Sequence, residues 1–140
     1  MLRQAELVHF PKHMDPNGTL CVYECGRHVD FAIQRVFAVF AENGEVRGEH
    51  AHKQCTQLLV CVSGKIRVTC DDGATATDYL LDDMSVGLLI APGIWAKETY
   101  VEGNALLMVL CDRAYEADDY IRDYSEYQIY AKDRRNPIPH

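Results

Sequence analysis

Two histidines separated by one residue, His50 and His52, constrain this chain more than any other feature of its sequence. Alternate side chains of a β-strand point to the same face, so a strand here puts both imidazoles on one side of a sheet. Gln57 follows, then an apolar run from Leu58 to Ser63, and then Gly64. This order predicts a strand carrying two imidazoles beside a more deeply buried strand, and therefore a site built on a sheet.

The composition is that of one globular domain. A chain of 140 residues, 48% of them apolar, is long enough for a full core, and we expect a single domain over residues 1–140. The net charge of -7 argues against nucleic-acid binding, which needs a basic face. No apolar stretch reaches 18 residues, and Met1 to Phe10 lacks the apolar core of a signal peptide, so we expect no membrane partner and a cytoplasmic location.

Short strands separated by turn signals fill most of the chain. Asp72-Gly73 suits a tight hairpin turn, and similar turn signals recur at short intervals. This spacing predicts an all-β sandwich or barrel over about residues 7–112. The expected strands are Phe31 to Phe40, Gln57 to Val62, Lys65 to Cys70, Val86 to Ala91 and Ala105 to Cys111.

The C-terminal part has a different periodicity. Tyr120, Ile121, Tyr124 and Tyr127 recur at helical spacing, which predicts a short helix over about residues 114–130 that packs on the barrel. Residues 131–140 are expected to form a loose tail.

The histidine pair, Gln57 and Gly64 together resemble the first motif of the cupin barrels, except that Gln57 stands where metal-binding members have a glutamate. The resemblance implies an all-β cupin or jelly-roll barrel. A metal-binding member takes a further histidine from a second motif, at a position that falls here near Ala96, which has no ligand atom. We therefore expect no metal, although Cys55 leaves a cysteine ligand open. All six cysteines are expected to be reduced thiols.

Longer segments resemble the nucleotide-sugar 3,4-ketoisomerases, a metal-free branch of the cupins, over about residues 7–130. The segments that carry the resemblance are Phe31 to Val36, Arg47 to Lys53, Leu59 to Gly64, Asp71 to Gly73, Pro92 to Trp95, Leu107 to Cys111 and Asp119 to Tyr124.

This resemblance implies a substrate and a reaction. The substrate is expected to be a dTDP-linked 4-keto-6-deoxyhexose, whose carbonyl moves from C4 to C3 without a cofactor. The product is expected to feed an aminotransferase in the biosynthesis of a surface polysaccharide or a glycosylated natural product. The resemblance also implies a homodimer with exchanged strands.

Such a reaction removes a proton at C3 and delivers one at C4 through an enediol, and a histidine titrates in the range that both steps need. We expect His50 to be the principal base. His52 is expected to be its partner or a donor to the enediolate oxygen.

Further residues are expected to bind the substrate. Arg35 and Arg47 offer permanent charge for a diphosphate or for sugar oxygens, although Arg35 alternatively pairs with a carboxylate at the dimer interface. Lys53 either contacts phosphate or is solvated, and Gln57 is also assigned to the substrate. Trp95 either forms a wall of the sugar pocket or fills the mouth of the barrel.

The chain departs from the family pattern at two places. Phe37-Ala38 stands where members commonly have two tyrosines, and Ala96-Lys97 where they commonly have His-Glu. These departures keep three alternatives open: a non-catalytic protein that binds a nucleotide sugar, a related sugar epimerase, and a metal-dependent cupin. The sequence leaves the nucleotide base and the C4 stereochemistry open.

Overall fold

The computed structural model describes residues 4–136, and its strands form one large antiparallel sheet and one separate hairpin. The large sheet curls on itself and confirms the predicted all-β cupin or jelly-roll fold. The hairpin is made by β2 and β3. The strands are β1 (Ala5–His9), β2 (Lys12–Asp15), β3 (Gly18–Cys21), β4 (Arg35–Phe40), β5 (Val46–His52), β6 (Gln57–Asp71), β7 (Ala76–Leu81), β8 (Val86–Ile90), β9 (Trp95–Cys111) and β10 (Tyr120–Ile121).

Two long strands, β6 and β9, run antiparallel along the whole sheet and hold the others in place. Their register extends from the pair Gln57 and Cys111 to the pair Asp71 and Trp95. Strands β8 and β7 pair with the two halves of β6, whereas β4 and β5 pair with β9. The sheet therefore brings β5, β6, β8 and β9 around one interior space.

The two strands expected on either side of Ser63 and Gly64 are one bent strand. The register of β6 shifts between Cys61 and Ile66, and Gly64 takes a left-handed conformation with φ of 80°. A side chain at position 64 would bring its Cβ to 2.5 Å from the carbonyl oxygen of Glu102. The glycine therefore permits a bulge that bends the strand without ending it. The hairpin expected at Asp72-Gly73 is present between β6 and β7.

The core lies on the inner face of the curled sheet. Every second residue of β9 points inward, so Ala96, Glu98 and Tyr100 are buried, whereas Lys97 between them is exposed. The apolar residues of this core, whose burial stabilises the fold, include Leu59, Ile66, Val68, Leu81, Leu88, Tyr100, Leu107 and Val109.

The predicted helix over 114–130 is wrong in its position. A 3-10 turn covers Ala117–Asp119, Tyr120 and Ile121 form β10, and the helix α1 runs from Tyr124 to Arg135. Strand β10 pairs with His52 and Ala51 of β5, which takes these residues out of the helical pattern. Asp123 then caps the helix by accepting a hydrogen bond from the Glu126 amide at 3.0 Å.

Part of the expected tail is therefore helical, and its last residues, 137–140, lie outside the described part of the chain. Within residues 4–136, no helix is long and apolar enough to cross a membrane. All six cysteines are free thiols.

Candidate active site

The two histidines lie side by side on β5 and face the interior of the curled sheet. Their ring centroids are 5.1 Å apart, with the ring planes perpendicular. Ala96 of β9 is the register partner of His50. A small cavity of about 10 Å³, enough for about one water molecule, is lined by both imidazoles and by Cys55, Gln57, Ala96 and Glu98.

A bulge in β5 positions His50. The register shifts between Gly48 and His50, where Gly48 has a φ of 84° and Glu49 a φ of 54°. The Nδ1 atom of His50 lies 3.0 Å from the Gly48 carbonyl oxygen, which only accepts, so Nδ1 carries the proton and Nε2 has a free lone pair. Burial and the neighbouring His52 lower the pKa of His50 to about 4. This imidazole is therefore neutral at pH 7 and acts as an acceptor.

His52 forms a buried dyad with Asp119, the residue before β10. Its Nδ1 donates to Asp119 Oδ2 at 2.9 Å, and the relative exposures of the two side chains are 7% and 5%. Asp119 also accepts hydrogen bonds from the backbone amides of Gln54 at 2.7 Å and Cys55 at 3.3 Å. The Nε2 atom of His52 is buried and has no hydrogen-bond partner among residues 4–136. The carboxylate holds the imidazole proton on Nδ1, so Nε2 keeps a lone pair that can bind a ligand.

The pKa values of the dyad follow from its surroundings. Burial lowers the pKa of His52, and the hydrogen bond and charge of Asp119 act against this, while Arg35 and Arg122 lower it further. Burial works to raise the pKa of Asp119, yet the hydrogen bonds from His52, Gln54 and Cys55 bring it below its ordinary value. The stable form is thus a neutral imidazole held by an ionised carboxylate.

Tyr120 covers both histidines from the neighbouring strand β10. Its ring centroid lies 4.3 Å from that of His52 and 5.0 Å from that of His50. The Tyr120 hydroxyl accepts from both terminal nitrogens of Arg35 at 3.5 Å, and the Arg122 guanidinium stacks 4.2 Å from the ring centroid. Arg35 is therefore close to the dyad, as a substrate-binding assignment requires.

Gln57 also lies with the histidines. Its side chain is buried, lines the cavity, and donates from Nε2 to the Cys111 sulfur at 3.5 Å. The predicted constellation of His50, His52, Gln57 and Arg35 is thus brought together in one region.

Trp95, Arg47 and Lys53 do not line the histidine cavity. Trp95 alternates with Ala96 on β9 and packs against Tyr124 and Tyr127 of α1, at centroid distances of 5.1 and 5.5 Å. Its position favours the packing alternative over a wall of the sugar pocket. Arg47 is exposed on β5, opposite Glu98 in register, and Lys53 is exposed just after β5.

The departures from the family pattern have different consequences. Phe37 packs against the core and lies 4.7 Å beneath the Arg35 guanidinium, whereas Ala38 faces outward and is exposed. Ala96 faces the cavity directly opposite His50 and contributes no titratable group there. The change at position 96 therefore alters the site, and the change at position 38 does not.

One group of potential metal ligands occurs among the described residues: atoms of His52, Cys55 and Asp119 lie within 4.8 Å of one another. Both oxygens of Asp119 already accept hydrogen bonds, two of them from backbone amides, and one of its donors is His52 itself. The residues therefore fit a hydrogen-bonded dyad better than a metal centre.

Sequence reasoning missed three residues of the site: Asp119, Tyr120 and Glu98. Asp119 and Tyr120 lie in one of the segments that carry the family resemblance, but no role could be assigned from it. Glu98 is 9% exposed, and burial raises its pKa to about 7. The alternation of inward and outward residues along β9 could have indicated its position, because it places Glu98 on the same inner face as Ala96 and Tyr100.

A cupin barrel whose cavity contains two neutral imidazoles, one held by a carboxylate, belongs to the enzymes that move protons on a small molecule. The family model described as "FdtA: WxcM-like, C-terminal" matches residues 3–132. The TDP-4-oxo-6-deoxy-alpha-D-glucose-3,4-oxoisomerase of Aneurinibacillus thermoaerophilus is 36% identical over 126 residues, which cover 89% of this chain and 91% of the relative.

Solved structures agree with these relatives. The sugar 3,4-ketoisomerase QdtA of Thermoanaerobacterium thermosaccharolyticum, in complex with TDP, matches with a TM-score of 0.90 and 32% identity over 96% of this chain and 98% of that one. A histidine-to-asparagine variant of QdtA, in complex with TDP-4-keto-6-deoxyglucose, matches with a TM-score of 0.91 and 29% identity over 99% and 100% of the two chains. The chain belongs to the WxcM-like FdtA family of sugar-nucleotide 3,4-ketoisomerases.

Proposed function

We propose that the protein moves the carbonyl of a dTDP-linked 4-keto-6-deoxyhexose from C4 to C3 by histidine-mediated proton transfer. The observation that carries the mechanism is the His52–Asp119 dyad, whose imidazole lines the cavity and has a buried Nε2 with no hydrogen-bond partner among residues 4–136. The substrate class follows from the relatives, which act on or bind TDP-linked keto-deoxysugars.

His52 is the group best placed to take the C3 proton. Removing this proton lets the C3–H electron pair form a C3=C4 double bond, and the carbonyl π electrons move onto O4, which becomes an enediolate oxygen. Asp119 stabilises the imidazolium that forms, as a carboxylate behind a histidine base does in other enzymes. The imidazolium then gives its proton to the C3=C4 electron pair at C4, the O3–H electron pair completes the carbonyl at C3, and the net movement of the O3 proton is to O4.

His50 has the second role in this mechanism, whereas the sequence favoured it as the principal base. Its Nδ1 donates to the Gly48 carbonyl, a neutral dipole that stabilises an imidazolium far less than a carboxylate does. The free Nε2 of His50 is suited to accept a hydrogen bond from a sugar hydroxyl and so to orient the ring. Which histidine takes the C3 proton can be decided by separate substitutions.

Charge near the dyad supports binding of a diphosphate. Arg122 stacks on the ring of Tyr120 and Arg35 contacts its hydroxyl, and Arg35 is half-buried beside the aromatic rings of Phe37 and Tyr115. A guanidinium held in this way is oriented for planar, bidentate contact with phosphate oxygens. We assign Arg35 to the nucleotide-sugar phosphates and Gln57 to the sugar end of the cavity.

We also propose that the protein is a homodimer. The outward face of β4 exposes 56% of Val36 and 66% of Phe40, and Val62 of β6, on the other side of β9, is 37% exposed. The hairpin β2–β3 pairs outside the main sheet and exposes Met14 and Leu20, which suits a segment exchanged with a second copy. Light scattering of the purified protein should give twice the monomer mass, and Phe40→Asp should shift it toward the monomer. A monomeric wild type would contradict the dimer.

The position of the product carbonyl places the reaction before an amination. A 3-keto sugar nucleotide is the acceptor that an aminotransferase converts into a 3-amino sugar, and we propose that this step follows in the cytoplasm during polysaccharide or natural-product biosynthesis.

The function is tested by incubating the protein with TDP-4-keto-6-deoxyglucose and following the carbonyl carbon by NMR. We expect the C4 carbonyl signal to be replaced by a C3 carbonyl signal. Exchange of carbon-bound protons without movement of the carbonyl would instead indicate an epimerase. Binding of the nucleotide without any reaction would indicate a non-catalytic binding protein.

A further inference from the structure

The two histidines leave the site without an obvious acid. Each donates its Nδ1 proton to a fixed protein acceptor, Gly48 or Asp119, so each keeps a lone pair on Nε2 and neither has a proton to give. Enolisation of a ketone needs a base at the carbon and a donor at the carbonyl oxygen, where negative charge develops. Another cavity group must therefore supply that proton.

Glu98 lines the same cavity from the adjacent strand β9, two residues beyond Ala96. Its carboxyl packs over the bulge of β5, where a Cβ at position 48 would clash with Glu98 Oε2. Gly48 thus makes room for this carboxyl and also provides the carbonyl that orients His50. The small side chain of Ala96, opposite His50 in register, lines the same cavity as the carboxyl and the imidazoles.

The surroundings of Glu98 favour its protonated form near neutral pH. Among residues 4–136, no lysine, arginine or histidine lies within 4.0 Å of its carboxylate. The titratable groups around it are Arg47 and His50 from β5, Cys70 from β6 and Tyr100 from its own strand. Burial outweighs the attraction of Arg47 and raises the pKa of Glu98 to about 7.

We propose that Glu98 is the general acid of this site, giving its proton to the C4 carbonyl oxygen while His52 takes the proton from C3. The proposal rests on the ketoisomerase function described above. In this step the C3–H electron pair becomes the C3=C4 bond, and the carbonyl π electrons form the new O4–H bond. The products are an enediol, a Glu98 carboxylate and a His52 imidazolium.

The second half of the reaction restores both groups. The Glu98 carboxylate takes the proton from O3, and the O3–H electron pair forms the new C3 carbonyl. The C3=C4 electrons take the proton of the His52 imidazolium at C4. Protons and electrons balance, and no co-reactant is required.

The other polar groups of the cavity are poorer acids. The amide of Gln57 donates hydrogen bonds but does not give up a proton at neutral pH. Hydrogen bonding to Cys111 and burial raise the pKa of the Cys55 thiol far above its ordinary value, so it holds its proton too tightly. Among the groups that line the cavity, Glu98 is thus the one that both carries a proton near neutral pH and can transfer it.

Glu98→Gln tests the role, because the amide keeps the size and hydrogen-bonding capacity of the side chain but transfers no proton. We expect kcat to fall by about 100-fold or more, with KM and TDP affinity nearly unchanged. Glu45→Gln, which neutralises an exposed carboxyl before β5, is the matched control and should leave kcat unchanged. Full activity of Glu98→Gln overturns the proposal, and so does a loss of TDP binding that accounts for the whole effect.

The pH profile gives a second measurement. In the wild type, kcat/KM should fall as the pH rises above about 7, where free Glu98 loses its proton. The residual activity of Glu98→Gln should lack this decline. A wild-type profile that stays flat from pH 7 to pH 9 overturns the role of Glu98 without affecting the ketoisomerase function, which fails only if the wild type makes no 3-keto product.

Discussion

Asp119 Oδ2 accepts a hydrogen bond from His52 Nδ1 at 2.9 Å, although the two residues are 67 positions apart in the sequence. The contact depends on β10, whose two residues pair with the end of β5 and bring the preceding Asp119 against the imidazole. Both side chains are buried, so the interaction is shielded from solvent and keeps His52 in one tautomer. This dyad is the feature from which the proposed proton transfer follows.

Replacing the carboxylate should disable the base while the fold is retained. In the wild type, Asp119 Oδ1 accepts from the Gln54 amide, and Oδ2 accepts from His52 and from the Cys55 amide. In Asp119→Asn an NH2 group replaces one of these oxygens, so it faces either the Gln54 amide or the side occupied by His52 and Cys55. Turning the NH2 toward His52 makes Nδ1 an acceptor and moves the imidazole proton to Nε2.

We therefore expect kcat of Asp119→Asn to fall by about 10³- to 10⁴-fold, as for the aspartate of a serine-protease triad. Steady-state kinetics and a TDP-binding titration measure the effect. Near-normal kcat in this variant would show that His52 does not depend on Asp119.

Trp95 should matter for stability and not for catalysis. Because its ring packs between β9 and the tyrosines of α1, Trp95→Ala should lower the free energy of unfolding by about 3–5 kcal/mol. The kcat/KM value of the fraction that remains folded should stay close to that of the wild type. Urea unfolding and kinetics at a low temperature provide the two measurements. A large loss of kcat/KM at unchanged stability would place Trp95 against the substrate.

Glu98 should also make stability depend on pH. Its pKa is raised from 4.5 to about 7, so between these values the folded state holds a proton that the unfolded chain has lost. Stability from this group is fully present below pH 4.5, falls as the pH rises, and is lost above about pH 7. The total change is about 3 kcal/mol.

Glu98→Gln removes this dependence. The difference in unfolding free energy between the variant and the wild type should therefore shift in favour of the variant as the pH rises from 4.5 to 8. Urea titrations at several pH values measure it. A difference that stays constant with pH would show that Glu98 ionises as an exposed carboxyl does.

The sequence pattern was sufficient for the parts of the fold and the site that depend on local alternation. His50 and His52 share a face because they are two residues apart on a strand, and Gln57 begins the adjacent buried strand. The same rule could have found Glu98, whose spacing from Ala96 places it inside, but a charged residue is usually expected to be solvated.

The parts that failed depend on long-range pairing. Tyr120 and Ile121 fit the helical spacing of Tyr124 and Tyr127, yet they form a two-residue strand, which is too short to give a recognisable pattern. The helix begins only where Asp123 caps it. Since β10 was not foreseen, neither was the position of Asp119 behind His52.

The measurement that tests the central claim most directly follows the C3 proton in deuterated buffer. TDP-4-keto-6-deoxyglucose is incubated with the wild type, His52→Asn and His50→Asn, and the carbon-bound protons are observed by NMR. We predict a 3-keto product with deuterium at C4 for the wild type, and no product and no exchange at C3 for His52→Asn. His50→Asn should retain slow exchange at C3. Undiminished exchange in His52→Asn, with none in His50→Asn, would contradict this account and make His50 the base.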